Sequence, residues 1–250
     1  MIVLIIGKER MMKKVIRFFL AGLLLVGATA AWAQDEIETT VSGDVVSSYI
    51  WRGQDLGDVS LQPTLGVSYK GLSLTAWGSV GLTDPLDTKE FDLTLSYTTG
   101  GLNIGITDYW FDAGLDPDAR YFKYDAHGTN HVFEANIGYD FGVASVQWFT
   151  NFAGNDGINK DGKRAYSSYA EVVVPFKLSA IDWTATVGAV PYATSFYNDW
   201  TSGFAVTNVS LKATKDIKVT DSFSIPVFGQ IAANPCTQKA YLVFGFTLQP

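Results

Sequence analysis

Charged side chains at regularly spaced positions are the residues of this sequence that could do chemistry. They occur in segments where apolar and polar residues alternate, and each takes a polar position of the alternation. Successive side chains of a strand point to opposite faces, so these charges should share the polar face of one sheet. The candidates are Asp44, Arg52, Asp92, Glu134, Glu171, Asp182 and Lys212. Such charges could select ions in a channel or pair with one another and fill an interior, and the sequence leaves both open.

Arg52 is the most distinctive candidate because it stands between Trp51 and Gly53, where the first predicted strand meets its loop. It could narrow a channel or bind an anionic group. An ion pair with Asp44, Asp55 or Asp58 is the favoured interpretation.

A metal site and a catalytic site are weaker hypotheses. The loop 112–130 carries Asp112, Asp116, Asp118 and Asp125. Carboxylates are ligands for Ca²⁺, but the spacing is not that of an EF-hand, so a solvated acidic loop is favoured over a calcium site. We expect no other metal and no cofactor.

His127 and His131 are the two histidines of the chain. A serine hydrolase needs a base beside its nucleophile, and His131 could serve as one. However, no serine stands in a recognisable nucleophile motif, so we expect no enzymatic activity.

The elements that would position these residues are strands. In the segment 91–97, Phe-Asp-Leu-Thr-Leu-Ser-Tyr, apolar and polar residues alternate strictly, and 72–76, 104–107 and 181–187 repeat the pattern. The predicted strands are 39–53, 59–69, 72–82, 89–98, 102–111, 131–141, 144–153, 165–176, 181–191, 204–214, 223–232 and 238–248. About 12 strands of this length, joined alternately by short turns and longer polar loops, predict an antiparallel up-and-down β-barrel that crosses a membrane. The connection at 214–222 is longer than a periplasmic turn should be.

The amino-terminal segment predicts export. Lys13, Lys14 and Arg17 precede an apolar run of about 13 residues, and Ala31-Trp32-Ala33 is a cleavage signature. We therefore expect residues 1–33 to be a signal peptide, with 1–11 upstream of a true start at Met12, and 34–250 to form a single barrel domain in the outer membrane.

Composition favours lipid over water outside the barrel. The polar faces carry mainly Ser, Thr, Asn, Gln and Gly with few Lys, whereas a soluble barrel would expose many charges. Aromatic residues near strand ends predict two girdles at the membrane interfaces. The girdle beside the short turns is Tyr69, Tyr97, Tyr139, Phe141 and Phe176, and the one beside the long loops is Tyr49, Trp51, Trp110, Phe111, Phe152, Phe196 and Trp200. After residue 33, 13 Lys and Arg stand against 24 Asp and Glu, a net charge near −11, which argues against nucleic acid as a partner.

One stretch resembles a known family. Ser47-Ser48-Tyr49-Ile50-Trp51-Arg52-Gly53, then Gln62-Pro63 and the Trp77 segment 74–79, is similar to the opening of the TorF-type porins. The resemblance covers about residues 45–82 and implies an outer-membrane channel or channel-like barrel, with Tyr49, Trp51, Arg52, Gly53 and Trp77 as its motif residues. Outer-membrane barrels usually end on an aromatic residue, but Phe244 and Phe246 are followed here by Thr-Leu-Gln-Pro.

The function expected from these patterns is passive diffusion of small solutes through a narrow channel that prefers cations. The main alternative is a closed structural or surface-interaction barrel without transport, and a third is a secreted soluble β-sandwich, which the charge-poor polar faces disfavour. The expected partners are outer-membrane lipid and lipopolysaccharide, the barrel assembly machinery and small solutes. The sequence leaves the oligomeric state open.

Overall fold

A computed structural model describes residues 37–112, 116, 118–126, 128–198 and 203–250. The expected signal peptide at 1–33, the alternative start at Met12 and the aromatic residue Trp200 lie outside these ranges. His127 lies outside them too.

The segments of alternating polarity form strands, as period-two patterning requires. Their bounds are β1 Ile37–Val46, β2 Tyr49–Trp51, β3 Gln54–Gly57, β4 Ser60–Tyr69, β5 Leu72–Gly81, β6 Lys89–Thr99, β7 Leu102–Asp112, β8 His131–Asp140, β9 Ser145–Gly154, β10 Ser168–Leu178, β11 Ile181–Val190, β12 Ala205–Lys218, β13 Ser224–Asn234 and β14 Lys239–Leu248. No helix in the described ranges is long and apolar enough to cross a membrane.

Twelve of the strands close into one antiparallel barrel, in the order β1-β14-β13-β12-β11-β10-β9-β8-β7-β6-β5-β4. Barrel strands that follow one another along the chain pair with each other, with β1 next to β4, and the first and last barrel strands close the ring from Gly43↔Leu248 to Val46↔Gly245. Beyond that seam, the Ser47 amide donates to the Phe244 carbonyl over 2.8 Å. The predicted up-and-down barrel of about 12 strands is therefore confirmed.

The outer face of the barrel is apolar and the inner face is polar. Leu95, Ile106 and Leu242 point outward and are about half exposed, at 52%, 49% and 59%. Between them along the strands, inward-facing residues are small and polar, as shown by the Thr94 hydroxyl, which lies 3.0 Å from that of Thr107 on the next strand. This polarity is the inverse of a soluble protein and matches a barrel surrounded by lipid.

One predicted connection is corrected by the structure, and one short turn agrees with the prediction. Strand β12 runs on to Lys218, so its connection to β13 spans 219–223. The connection predicted at 214–222 was too long because the strand had been ended too early at residue 214. The turn at Lys70-Gly71, with positive φ at both residues, is as short as expected.

The first predicted strand, 39–53, is wrong beyond Val46. There the chain leaves the barrel wall and forms a separate two-stranded hairpin of β2 and β3, so the predicted loop 54–58 is mostly strand. Trp51 pairs with Gln54 across Arg52 and Gly53, whose φ values are +50° and +80°. Positive φ at both central residues is the signature of the tightest hairpin turns.

The predicted aromatic girdle beside the short turns is present. The predicted girdle beside the long loops forms only in part. Tyr69, Tyr97, Tyr139, Phe141 and Phe176 are all exposed on the outer face beside the short turns. On the long-loop side Phe152 is also exposed, but several of the residues predicted there face inward. The inward members are Tyr49, Trp51, Phe111 and Phe196.

Candidate functional site

The β2–β3 hairpin crosses the barrel lumen. It leaves the wall at the end of β1 and turns inside the barrel at Arg52-Gly53, where the Asn234 side chain of β13, two strands from β1 in the ring, donates to the Gly53 carbonyl over 3.1 Å. A Cβ on Gly53 would collide with the Thr207 carbonyl of β12, so only glycine allows this close approach. We call residues 47–58 the plug hairpin.

An ion pair holds the tip of the plug hairpin. Arg52 donates to both carboxylate oxygens of Glu134 on β8, over 2.5 and 2.9 Å, and the two side chains are only 7% and 2% exposed. The Tyr109 hydroxyl on β7 donates to the same carboxylate over 2.8 Å. A bidentate guanidinium–carboxylate pair fixes both distance and orientation, so it locks the hairpin to the opposite wall. We call this pair the latch.

Aromatic rings enclose the guanidinium. Its central carbon lies 4.4 Å from the Trp51 ring centre, 4.0 Å from that of Phe149 and 4.7 Å from that of Tyr169. Arg52 also donates to the Tyr197 hydroxyl, in the loop after β11. Burial raises the pKa of the Tyr197 phenol well above its usual value, so the group is neutral. Ring faces attract a cation most strongly when water is excluded, which adds to the hold of the latch.

The wall is adapted to the latch at two irregularities in strand pairing. The β8–β9 register shifts between Phe133 and Glu134, next to the latch carboxylate. The β11–β12 register shifts between Gly188 and Ala189, and a Cβ on Gly188 would collide with the Tyr169 hydroxyl. Bulges commonly re-aim side chains at functional sites, and these two lie beside the rings and carboxylate that hold Arg52.

The base of the plug hairpin contacts a second cluster on the lumen wall. The Tyr49 ring lies 5.5 Å from that of Trp77, and its hydroxyl donates to Glu90 over 2.9 Å. Asp92, also inward on β6, is buried beside Glu90. The five motif residues of the family resemblance thus meet inside the barrel, where Tyr49, Trp51, Arg52 and Gly53 form the plug and Trp77 supports it.

The other predicted lumen charges lie apart from the latch. Asp44 accepts from the Thr247 hydroxyl over 2.6 Å and lies close enough to Lys212 to act on it electrostatically. The Lys212 ammonium sits 3.8 Å from the Phe228 ring centre. Glu171 occupies an inward position of β10 near Tyr169. Asp182 forms an exposed pair with Lys177 over 3.2 Å near a short turn.

The favoured partners predicted for Arg52 were wrong. The latch joins it to Glu134 rather than to Asp44, Asp55 or Asp58. Sequence reasoning also missed Tyr109 and Tyr169 as members of the site. Both occupy inward positions of their strands, so an aromatic residue on an otherwise polar face was the available signal.

The acidic loop does not assemble a metal site in its described part. Asp112 pairs with Lys89 over 3.3 Å, and Asp116 accepts from the Asp118 amide over 2.9 Å. Across the described ranges, no group of three or more His, Cys, Asp or Glu side chains is placed to hold a metal. The weak calcium hypothesis for Asp112, Asp116 and Asp118 therefore gains no support.

His131 anchors this loop to the outer face of the barrel. Its side chain is fully buried, Nδ1 lies 2.7 Å from Asp108 and Nε2 lies 2.5 Å from the Tyr121 carbonyl. The Tyr124 ring stacks on the imidazole at 4.2 Å. Both ring nitrogens are engaged, so the geometry gives the imidazole a structural role.

The fold and the inserted hairpin define a closed, twelve-stranded β-barrel with an apolar exterior, which is consistent with an outer-membrane location. No protein-family model matches the sequence, and the search of curated proteins found no match. Two of the solved structures to which the chain is similar illustrate the level of similarity. One is the COG4313 outer membrane channel from Pseudomonas putida F1, with TM-score 0.41, 12% identity and coverage of 86% of this chain and 95% of that one. The other is from a study of the mechanism behind in-meso crystallization of membrane proteins, with TM-score 0.41, 8% identity and coverage of 85% and 83%.

Proposed function

We propose that this chain is an outer-membrane channel for passive diffusion of small solutes, with its lumen closed in this conformation by the plug hairpin. The observation that carries the proposal is the latch. The hairpin is held inside the barrel by one ion pair, a few hydrogen bonds and ring contacts at a few side chains, so a single local rearrangement would clear the lumen. A barrel of 12 strands is intermediate between those filled by side chains and those with an aqueous channel.

The lining of the lumen supports a preference for cations. Asp44, Glu171 and Asp182 face inward outside the latch, with Lys177 and Lys212 opposed to them. Glu90 and Asp92 add further carboxylates at the plug. A lining with an excess of one sign raises the local concentration of counter-ions, and salt screens the effect because the Debye length falls to about 3 Å at 1 M.

A closed structural barrel is the second candidate function, and the same latch favours it. Burial of Arg52 and Glu134 would then serve only to brace the wall. The proposed partners are the same in both cases: lipid and lipopolysaccharide on the apolar exterior and the assembly machinery during insertion. Neither function is catalytic, and the engaged nitrogens of His131 support that part of the proposal.

Reversal potentials under a KCl gradient test the selectivity. We expect cation preference at low salt and loss of much of it near 1 M salt. Replacing Glu171 by Gln and Asp182 by Asn should weaken the preference, whereas Asp221→Asn, on an exposed turn, should leave it unchanged. Anion preference in the unmodified protein would contradict the electrostatic argument.

A further inference from the structure

Glu90 and Asp92 form a buried pair of carboxylates that the latch does not use. They occupy neighbouring inward positions on β6 and are only 5% and 7% exposed. None of the ion pairs found among the described residues includes either of them. Arg52, the basic residue of the plug hairpin, pairs with Glu134 instead. Two carboxyl groups are therefore buried together without a basic partner.

One oxygen of the pair has no hydrogen-bond partner. Oδ1 of Asp92 is inaccessible to solvent, and no described group donates to it, whereas Oε2 of Glu90 accepts from the Tyr49 hydroxyl. A buried carboxyl oxygen without a partner is strongly unfavourable, so native structures rarely leave one. Something other than a described side chain should therefore satisfy it.

Two neighbouring side chains carry further oxygen atoms. Ser79 lies directly opposite Glu90 in the β5–β6 register and is 1% exposed. Its hydroxyl accepts from the Gln62 amide nitrogen over 3.4 Å, so Gln62, whose amide also carries an oxygen, lies next to Ser79. All these potential ligands are oxygens. Hard cations such as Ca²⁺ take oxygen ligands, whereas zinc favours nitrogen and sulfur.

We propose that Glu90 and Asp92, together with Ser79 and Gln62, bind a divalent, oxygen-preferring cation on the lumen wall, with Ca²⁺ as the representative ion. The charge of two carboxylates matches a divalent ion, and the orphaned Asp92 oxygen gains a ligand bond. Bound there, the cation would also hold the Glu90 carboxylate in place for the Tyr49 hydroxyl. Cation binding and closure of the plug hairpin should therefore favour each other.

Calcium-dependent stability tests the site. The purified barrel, treated with EDTA in a neutral detergent without lipopolysaccharide, is titrated with CaCl₂ and its heat unfolding is followed by mobility in SDS gels. At saturating Ca²⁺ we expect a rise of about 5 °C in the midpoint. Equilibrium dialysis with radioactive calcium should show saturable binding of one ion. Binding does not require conduction, so this test and the channel test can fail separately.

Matched variants identify the ligands. Asp92→Asn should abolish the calcium-dependent rise while making the calcium-free barrel more stable, because it removes the buried repulsion. Asp221→Asn, which removes a carboxylate on an exposed turn, should keep the full rise. Ser79→Ala retains both charges and should lower the affinity about tenfold, so it remains informative if Asp92→Asn does not fold.

Several results would overturn the proposal. They are no effect of Ca²⁺, an equal effect in Asp92→Asn, or the same rise with NaCl at matched ionic strength. A stability that responds to pH but not to Ca²⁺ would show that the two carboxylates share a proton instead.

Discussion

Removing the two charges of the latch, one at a time and together, should show how strongly the latch holds the plug hairpin. Arg52→Met keeps the aliphatic stem but leaves Glu134 buried with Tyr109 as its remaining donor. Removing one member of a buried ion pair typically costs about 3–5 kcal/mol, because the other charge stays uncompensated. Glu134→Gln should cost a similar amount for the reciprocal reason. The double variant leaves no buried charge at the latch and should cost less than either single change.

A double-mutant cycle measures this coupling. Unfolding free energies from urea titrations in lipid vesicles should give a coupling of at least about 2 kcal/mol between Arg52 and Glu134. The exposed pair of Lys177 and Asp182 is the control, with side chains 67% and 69% exposed. Exposed pairs contribute about 1 kcal/mol or less. Additive costs at Arg52 and Glu134, or a coupling no larger than that of the control, would refute the assignment of a latch.

Three further changes test the wall and the outer loop. Leu95→Arg, on the lipid face, should destabilise the inserted barrel by about 2–4 kcal/mol in urea titrations. Ser96→Arg, on the lumen face, should cost less than about 1 kcal/mol. Equal costs would contradict the faces assigned to these two residues. Gly188→Ala should displace the Tyr169 ring and cost about 1–3 kcal/mol, and an unchanged unfolding midpoint would show that the ring has room to move. His131→Ala should speed proteolysis within residues 118–126 without shifting the heat-unfolding midpoint of the barrel. An unchanged rate of cleavage would contradict the role of His131 in anchoring this loop.

The barrel was predictable because its strands carry one strong signal. Alternation in segments such as 91–97 places each side chain on one of two faces, and the charge-poor polar face favours lipid outside the barrel. Closure then follows, since lipid offers no partner to the backbone groups of a free strand edge. The error at 214–222 arose where β12 continues with Lys215 and Asp216, whose charges obscured the alternation.

The plug hairpin was not predicted because alternation does not distinguish a wall strand from a strand inside the lumen. Tyr49 and Trp51 continue the rhythm of β1, so they were assigned to an interfacial girdle. The available signal was the Arg52-Gly53 pair, since glycine there permits a tight turn. The partner of Arg52 was out of reach for another reason. Glu134 lies 82 residues further along the chain, and only the closed ring brings it across the lumen.

Single-channel conductance in planar bilayers tests the central claim most directly, with the unmodified protein compared to the Arg52→Met variant. A lumen closed by the latch predicts brief or rare openings in the unmodified protein and a larger, sustained conductance in the variant. An unmodified protein that is steadily open with the same conductance as the variant would contradict closure by the plug hairpin. No conductance in either protein would contradict the channel and favour the closed structural barrel.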